Sequence, residues 1–265
     1  MTQSAESDGA GQRSGAKKQE VILAFFDVLG FSKRVEDGGL EPLYATYMQL
    51  VDLVRTMVER DSCVIVSVPI GDGKAARVAM YIPLSHAYAS DTFLLWAPYR
   101  EDGFPAFCRF CAEFLCRALE LGLPLRGAIS MGEAIIDMDN HVFIGMPLVE
   151  SACAEKEQQW VGIGFGASLG HEKYRRIMDI TYFIQFRDHI KPGKEAVVMS
   201  LAVDWARHWR ETRERDVHEV LNDLDVDPSE KVRTIYETTR RYVDFSAANA
   251  DWFERLPAEP SPAPE

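Results

Sequence analysis

Two carboxylates in this chain sit where a carboxylate can do chemistry. Asp27 ends the apolar run Val21-Ile22-Leu23-Ala24-Phe25-Phe26, and Val28-Leu29-Gly30-Phe31-Ser32 follows, a glycine turn with a hydroxyl behind it. Asp91 lies in Ala89-Ser90-Asp91-Thr92-Phe93-Leu94-Leu95-Trp96, again at the edge of an apolar, strand-like run. Two strand-edge carboxylates beside a glycine turn suit divalent cations, and the turn's backbone N–H groups suit phosphate oxygens. Together they point to metal-assisted phosphoryl chemistry on a nucleotide. Either Asp taken alone reads first as a turn former, because an Asp behind a strand with a Gly close by commonly shapes a turn. The pair, each member in this setting, reverses that balance.

The elements that must position these groups are legible from periodicity. Val21 to Phe26 reads as a buried strand ending at Asp27. Leu43, Tyr44, Tyr47, Met48, Val51, Leu53, Val54 and Met57 recur at helical spacing, so residues 40–60 form a long amphipathic helix. Cys63 to Val68 and Ala76 to Pro83 are strands joined by a turn at Gly71-Asp72-Gly73-Lys74. A phosphate-binding role for that glycine pair is disfavoured, since no helix start follows it. Strands at 87–89 and 92–97 flank Asp91. A helix spans 105–121, a strand ending in a glycine turn spans 123–132, and residues 133–136 and 141–144 extend or pair with it. A helix over 147–159 opens on Pro147, as helices allow, and a strand follows at 160–165. Strands at 182–186 and 196–201 are joined by the turn Ile190-Lys191-Pro192-Gly193-Lys194. From Trp205 the chain is mostly helical and charged, with a helix at 228–248 that has Pro228 in its first turn. The β-α-β-β-α-β order is that of a ferredoxin-like core, which places the chain in the α+β class.

Size and charge narrow the function. A chain of 265 residues with 47% hydrophobic content supports one substantial core or a core with an appendage. A net charge of -12 disfavours non-specific binding to nucleic acid or a membrane surface, while leaving room for a locally positive site. No apolar run approaches the roughly 20 residues of a membrane span, and Met1 to Gln19 lacks an apolar signal core, so a cytoplasmic protein is expected. Expected boundaries are a disordered tail at 1–19, a catalytic domain at 20–203, a helical extension at 204–256 and a disordered Pro-rich tail at 257–265. Five cysteines, an odd number, argue against a complete disulfide framework. Cys108 and Cys111 form a C-x-x-C inside a helical apolar pattern with no second ligand pair, so buried thiols are expected rather than zinc.

The motifs and their order resemble class III nucleotide cyclases. Phe25 to Ser32 is similar to that family's strand–Asp–x–x–Gly-Phe-Thr/Ser element, and Ser90-Asp91-Thr92-Phe93 to its Gly-Asp hairpin. Leu125-Arg126-Gly127-Ala128-Ile129-Ser130-Met131-Gly132-Glu133 is similar to its Leu-Arg-x-Gly-Ile-x-x-Gly strand. The likeness covers residues 21–165. It implies two divalent cations, Mn²⁺ or Mg²⁺, held by Asp27 and Asp91 with help from the Val28 carbonyl, and 3′,5′-cyclisation of a nucleoside triphosphate. It implies phosphate contacts from the backbone of Gly30, Phe31 and Ser32, and a triphosphate contact from Arg126, whose alternative is a strand-end ion pair. Lys191 is a further triphosphate candidate, with an ordinary solvated turn lysine as its alternative. A head-to-tail homodimer with active sites at the subunit interface is implied too.

Departures from the family pattern sharpen the expectation. The Asn/Arg pair that acts on the transition state in adenylate and guanylate cyclases is replaced by Val149 and Cys153, and the purine-selecting position by Ala87. These features resemble the pyrimidine cyclases of bacterial Pycsar antiphage systems, the uridylate type in particular, whose product activates a separate effector. Tyr88 and His86, beside Ala87, could stack on or hydrogen-bond to a pyrimidine; their alternatives are a packed strand aromatic and a surface histidine. Glu155 and Lys156 lie on the helix that, in such a dimer, crosses toward the partner's nucleotide, where either could replace the missing Asn/Arg pair; the favoured expectation for them is a solvated charged face. The resemblance implies conversion of UTP to cyclic UMP. The alternatives are a cytidylate cyclase or a non-catalytic nucleotide-sensing module.

Overall fold

The computed structural model describes residues 17–61, 63–71, 74–81, 83–174, 183–194 and 200–250. Its centre is β1 (Lys17–Val28), which pairs antiparallel with β5 (Thr92–Pro98) on one side and β6 (Leu125–Asp137) on the other. The unbroken apolar run that ends β1 follows from burial on both sides. Ile22, Ala24, Phe26 and Val28 face the main core, while Val21, Leu23 and Phe25 face a smaller cluster with Trp96, Ala134 and Phe143.

The full sheet has eight strands among the described residues. Its order is β4 (Ser85–Ala89), β5, β1, β6, β8 (Gly162–Phe165), β10 (Leu201–Val203) and β9 (Phe183–Gln185), with β7 (Val142–Gly145) paired to β6. Only the β6–β8 pairing is parallel within it; the rest are antiparallel. β2 (Cys63–Gly71) and β3 (Lys74–Tyr81) form a separate two-stranded sheet. The fold is α+β, as the element order implied.

Helices cover both faces. α2 (Leu40–Asp61) and α3 (Phe104–Glu120) pack on the main core through Leu50, Val51, Val54, Phe107, Phe114 and Leu115. Cys108, Cys111 and Cys116 are buried there with free thiols, and burial pushes all three thiols above their ordinary range. α4 (Met146–Lys156) lies against β1 and β6 on the opposite face. The C-terminal helices α5 (Trp205–Thr212), α6 (Val217–Leu224) and α7 (Glu230–Ala248) put Trp205, Trp209, Leu221 and Tyr242 into the main apolar cluster. They complete the core of the sheet domain.

Several expectations are corrected. A short helix, α1 (Phe31–Gly38), follows Gly30 directly, where only a turn was expected. Gly132 does not end its strand: β6 runs through it to Asp137, with φ near 150°, and pairs with β7. Pro228 lies before α7 rather than in its first turn, and Ser229 holds the cap position. Lys17, Lys18 and Gln19, expected in a tail, are strand residues opposite Ile136, Ile135 and Ala134. Residues 1–16, Asp72, Gly73, Tyr182, 196–199 and 257–265, which carried expectations of tails, a turn and strand ends, lie outside the described residues.

Candidate active site

The sheet brings the expected acidic residues to one edge. In the ladder Asp27 stands opposite Thr92 of β5 and Arg126 of β6. Beyond it the pairing continues through turns: the Val28 N–H donates to the Asp91 carbonyl at 2.9 Å, and the Leu29 N–H to the Pro124 carbonyl at 2.9 Å. Asp91 therefore sits at the mouth of the same strand end as Asp27. It occupies the two-residue turn between β4 and β5, which Ala89 and Thr92 close. Ser90 precedes it at φ 56°, a conformation that such hairpins usually reserve for glycine. A serine held there is strained by about 1 kcal/mol, and strain of this kind gathers where a side chain must be aimed.

Gly30 caps α1 at φ 73° with no side-chain hydrogen bond to the helix start. Its carbonyl accepts from the Arg34 N–H at 3.0 Å. The first N–H groups of α1, from Phe31 and Ser32 onward, belong to the helix turn that has no intrahelical acceptors, and they border the same cavity as Asp27. Positive φ is needed at Gly30 although a Cβ would meet nothing within 4 Å, so the requirement is conformational rather than steric. Gly127 is the opposite case. A Cβ there would lie 2.5 Å from the Phe26 ring, so only glycine lets β6 close on β1 beside Arg126.

Arg126 is anchored from α4. Its Nε donates to Glu155 Oε1 at 2.5 Å and its Nη1 to the Gln158 carbonyl at 3.2 Å. Glu155 is 2% exposed and Arg126 11%, so the pair is buried. This corrects the expectation that Glu155 belongs to a solvated face. Gln158 is locked in turn: Nε2 donates to the Gly127 and Ala154 carbonyls at 3.0 and 2.9 Å, and Oε1 accepts from Trp160 Nε1 at 2.7 Å. No sequence signal marked Glu155 as buried, because the buried face of α4 is Pro147, Ser151, Ala154 and Glu155, which has no apolar periodicity to read.

Electrostatics set Asp27 apart. Burial, then the charges of Glu155 and Asp91, push its carboxyl up to about 6 against the opposing Arg126 and Lys156. The site is thus short of positive charge where the two carboxylates meet. Hard oxygen donors with unmet negative charge fit Mg²⁺ or Mn²⁺. Among the described residues no group of three His, Cys, Asp or Glu side chains is arranged to hold a metal.

Other expected residues fall in different places. Lys191 donates from Nζ to the Lys156 carbonyl and from its backbone to the Glu157 carbonyl at 2.8 Å, docking its turn on the end of α4. Burial, followed by repulsion from Arg126, draws its ammonium below the ordinary value. Tyr88 accepts a hydrogen bond from Arg55 at 2.6 Å and packs near Tyr47 and Phe93, with the His86 ring nearly parallel at 6.3 Å. Tyr88 and His86 share one face of β4, and Ala87 faces the smaller cluster on the other. Val149 is 54% exposed on α4, and Cys153 is exposed as well.

A cavity of about 820 Å³ opens at this edge, a volume suited to a nucleotide. Asp27, Asp91, Gly30, Ser32 and Arg126 border it from the sheet side. The C-terminal helices line it too, through Leu224, Lys231, Ile235 and Tyr236. Sequence reasoning assigned no chemistry to that region.

No protein-family model matches the chain. No curated protein matches it. Among solved structures it is similar to a bacterial light-regulated adenylyl cyclase, at 13% identity over 78% of this chain and 99% of that one, with a TM-score of 0.49. It is also similar to the catalytic core of a rhodopsin-guanylyl cyclase with converted specificity in complex with ATPαS, at 12% identity over 69% and 94% of the two chains, TM-score 0.49. A third is the adenylyl cyclase CyaB from P. aeruginosa, at 13% identity over 69% and 93%, TM-score 0.48.

Proposed function

We propose that this chain is a nucleotide cyclase that converts UTP to 3′,5′-cyclic UMP and pyrophosphate. The observation that carries the reading is the meeting of Asp27, Asp91 and the Gly30 turn on one nucleotide-sized cavity. Asp27 and Asp91, with the Val28 carbonyl, would hold two Mg²⁺ or Mn²⁺ ions. Such ions supply charge neutralisation at the triphosphate and acidify the ribose 3′-hydroxyl. The N–H groups at the start of α1 bind phosphate oxygens. Arg126, held by Glu155 and Gln158, keeps further guanidinium N–H groups free for the triphosphate.

Pyrimidine choice is supported by Ala87, a small residue where purine cyclases carry a long base-selecting side chain. A head-to-tail homodimer is supported by the apolar surface that β7 and α4 leave uncovered: Val142, Ile144, Met146 and Val149 are all exposed, Ile144 at 61%. The motif resemblance to Pycsar pyrimidine cyclases supports a messenger that acts on a separate effector in antiphage defence.

The test is incubation of purified protein with Mn²⁺ and each of ATP, GTP, CTP and UTP, with products identified by mass spectrometry. Cyclic UMP as the main product is expected. Cyclic CMP would correct the base, and a purine product would remove the pyrimidine assignment. A second reading, a non-catalytic nucleotide sensor, is favoured by one observation: Val149 and Cys153 offer no cation to a transition state. Nucleotide binding without pyrophosphate release would establish it.

A further inference from the structure

Asp27 and Asp91 line the cavity, and so do Arg34 of α1 and Lys231 of α7. Lys33, which lines it too, is already neutralised, by Asp227 at 3.2 Å and Asp37 at 3.8 Å. Arg34 and Lys231 have no acidic partner among the described residues. Lys231 stands in the first turn of α7, where the helix dipole disfavours a cation. Lys231 also repels Lys191, as Arg126 does, so these three cations share one field. Arg34 in turn is the leading charge opposing the rise of the Tyr236 hydroxyl, which burial pushes up to about 12, and both residues line the cavity. Cations without an acidic partner, on the wall of a cavity that also holds a metal-type carboxylate pair, complement a chain of phosphates that carries bound cations.

We infer that Arg34 and Lys231 bind the terminal phosphates of the nucleoside triphosphate, which makes the C-terminal helices part of the substrate site. This rests on the cyclase reading for the substrate class and goes beyond it in assigning residues outside the motifs that suggested it. In this arrangement α7 reads the phosphate tail rather than the base. Loss of the Lys231 charge weakens any triphosphate alike and leaves nucleoside binding unchanged.

The experiment is isothermal titration of the full chain with magnesium tripolyphosphate, and with uridine as the control, for wild type, K231A, K231E and K231R. Lys231 is exposed, so these variants are expected to fold as wild type, which thermal melting checks. Loss of one charged contact should weaken tripolyphosphate binding by about tenfold in K231A, and further in K231E, with K231R near wild type. KM for the triphosphate should rise in parallel. Equal tripolyphosphate affinity in wild type and K231E would overturn the inference and leave the cyclase reading standing. Tripolyphosphate binding that depends on Lys231, in a protein that forms no cyclic nucleotide, would support the inference and overturn the cyclase reading. A wild-type protein that binds no tripolyphosphate would overturn both.

Discussion

Asp27 and Glu113 are both partly buried carboxylates in one core, and their surroundings move them in opposite directions. Burial opposes the charge of Glu113, but hydrogen bonds from His208 and Arg213 overcome it and hold the carboxyl well below the usual range. The partners are close: His208 Nε2 at 2.8 Å, Arg213 Nη2 at 2.9 Å and Arg117 Nε at 2.8 Å. Nearby, Asp204 accepts from the Tyr242 hydroxyl at 3.0 Å, from Ser246 Oγ at 2.5 Å and from the Arg207 N–H at 3.2 Å. This region ties α5 and α7 to the rest of the fold and leaves its carboxylates satisfied. At Asp27 burial and the charges of Glu155 and Asp91 outweigh those of Arg126 and Lys156, and Arg126 is committed to Glu155. Satisfied charge marks a structural joint; charge left uncompensated at a cavity marks a site that awaits a ligand.

The largest test of that contrast is loss of function without loss of fold. Asp27→Ala or Asp91→Ala should reduce cyclic-nucleotide formation by about 10³-fold or more, since several kcal/mol of transition-state stabilisation would go with the metals. Circular dichroism and melting should stay near wild type. Full activity in either variant would end the two-metal assignment. Glu113→Ala should do the reverse. Arg213, 8% exposed, would be left without its main partner, at about 3 kcal/mol in urea unfolding. Turnover per folded molecule should hardly change.

The two carboxylates also predict opposite slopes of stability against pH. The folded value of Glu113 lies below the unfolded one, so its contribution is present above the ordinary carboxylate range and is lost as pH falls through and below it. Asp27 is raised from 3.8 to about 6, so its proton is held longer in the folded state. Stability therefore falls as pH rises from about 4 to 6, and the cost is fully present above 6. Asp27→Asn removes that cost and should stabilise the metal-free protein by about 1 kcal/mol at pH 8, once solvent screening is allowed for. Unfolding of wild type and D27N at pH 4, 6 and 8 measures it. Metal affinity should also weaken below pH 6, since a cation must displace the Asp27 proton. A D27N variant less stable than wild type at pH 8 would reverse the sign of this account.

The same contrast explains what the sequence disclosed. Asp27, Gly30, Asp91 and Arg126 were legible because each stands in a local motif, and β1, α2, α3 and β6 because apolar periodicity marks them. α1 escaped notice because Ser32-Lys33-Arg34-Val35-Glu36-Asp37 offers almost no apolar face; the helix buries no residue fully. Glu155 escaped because its burial depends on Arg126, 29 positions away. Lys231 and Tyr236 of α7 line the same cavity as α1, and a cavity shared by segments some 200 positions apart is something no local pattern encodes.

The smallest effect concerns strain rather than charge. Ser90 holds φ 56° in the turn that presents Asp91, and no positive-φ residue other than glycine occurs among the described residues of α5, α6 and α7. If the turn is strained to aim Asp91, Ser90→Gly should relieve it and stabilise the protein by about 0.5–1 kcal/mol, less the entropy that glycine adds to the unfolded chain. The same change should loosen Asp91 and lower kcat a few-fold, with KM little altered. A gain in stability together with unchanged kcat would mean that the strain is incidental to catalysis. A loss of stability would mean that the Ser90 side chain contributes more to the turn than its backbone costs. Either result would leave uncompensated charge as the sole physical mark that separates the mouth of the cavity from the joint around Glu113.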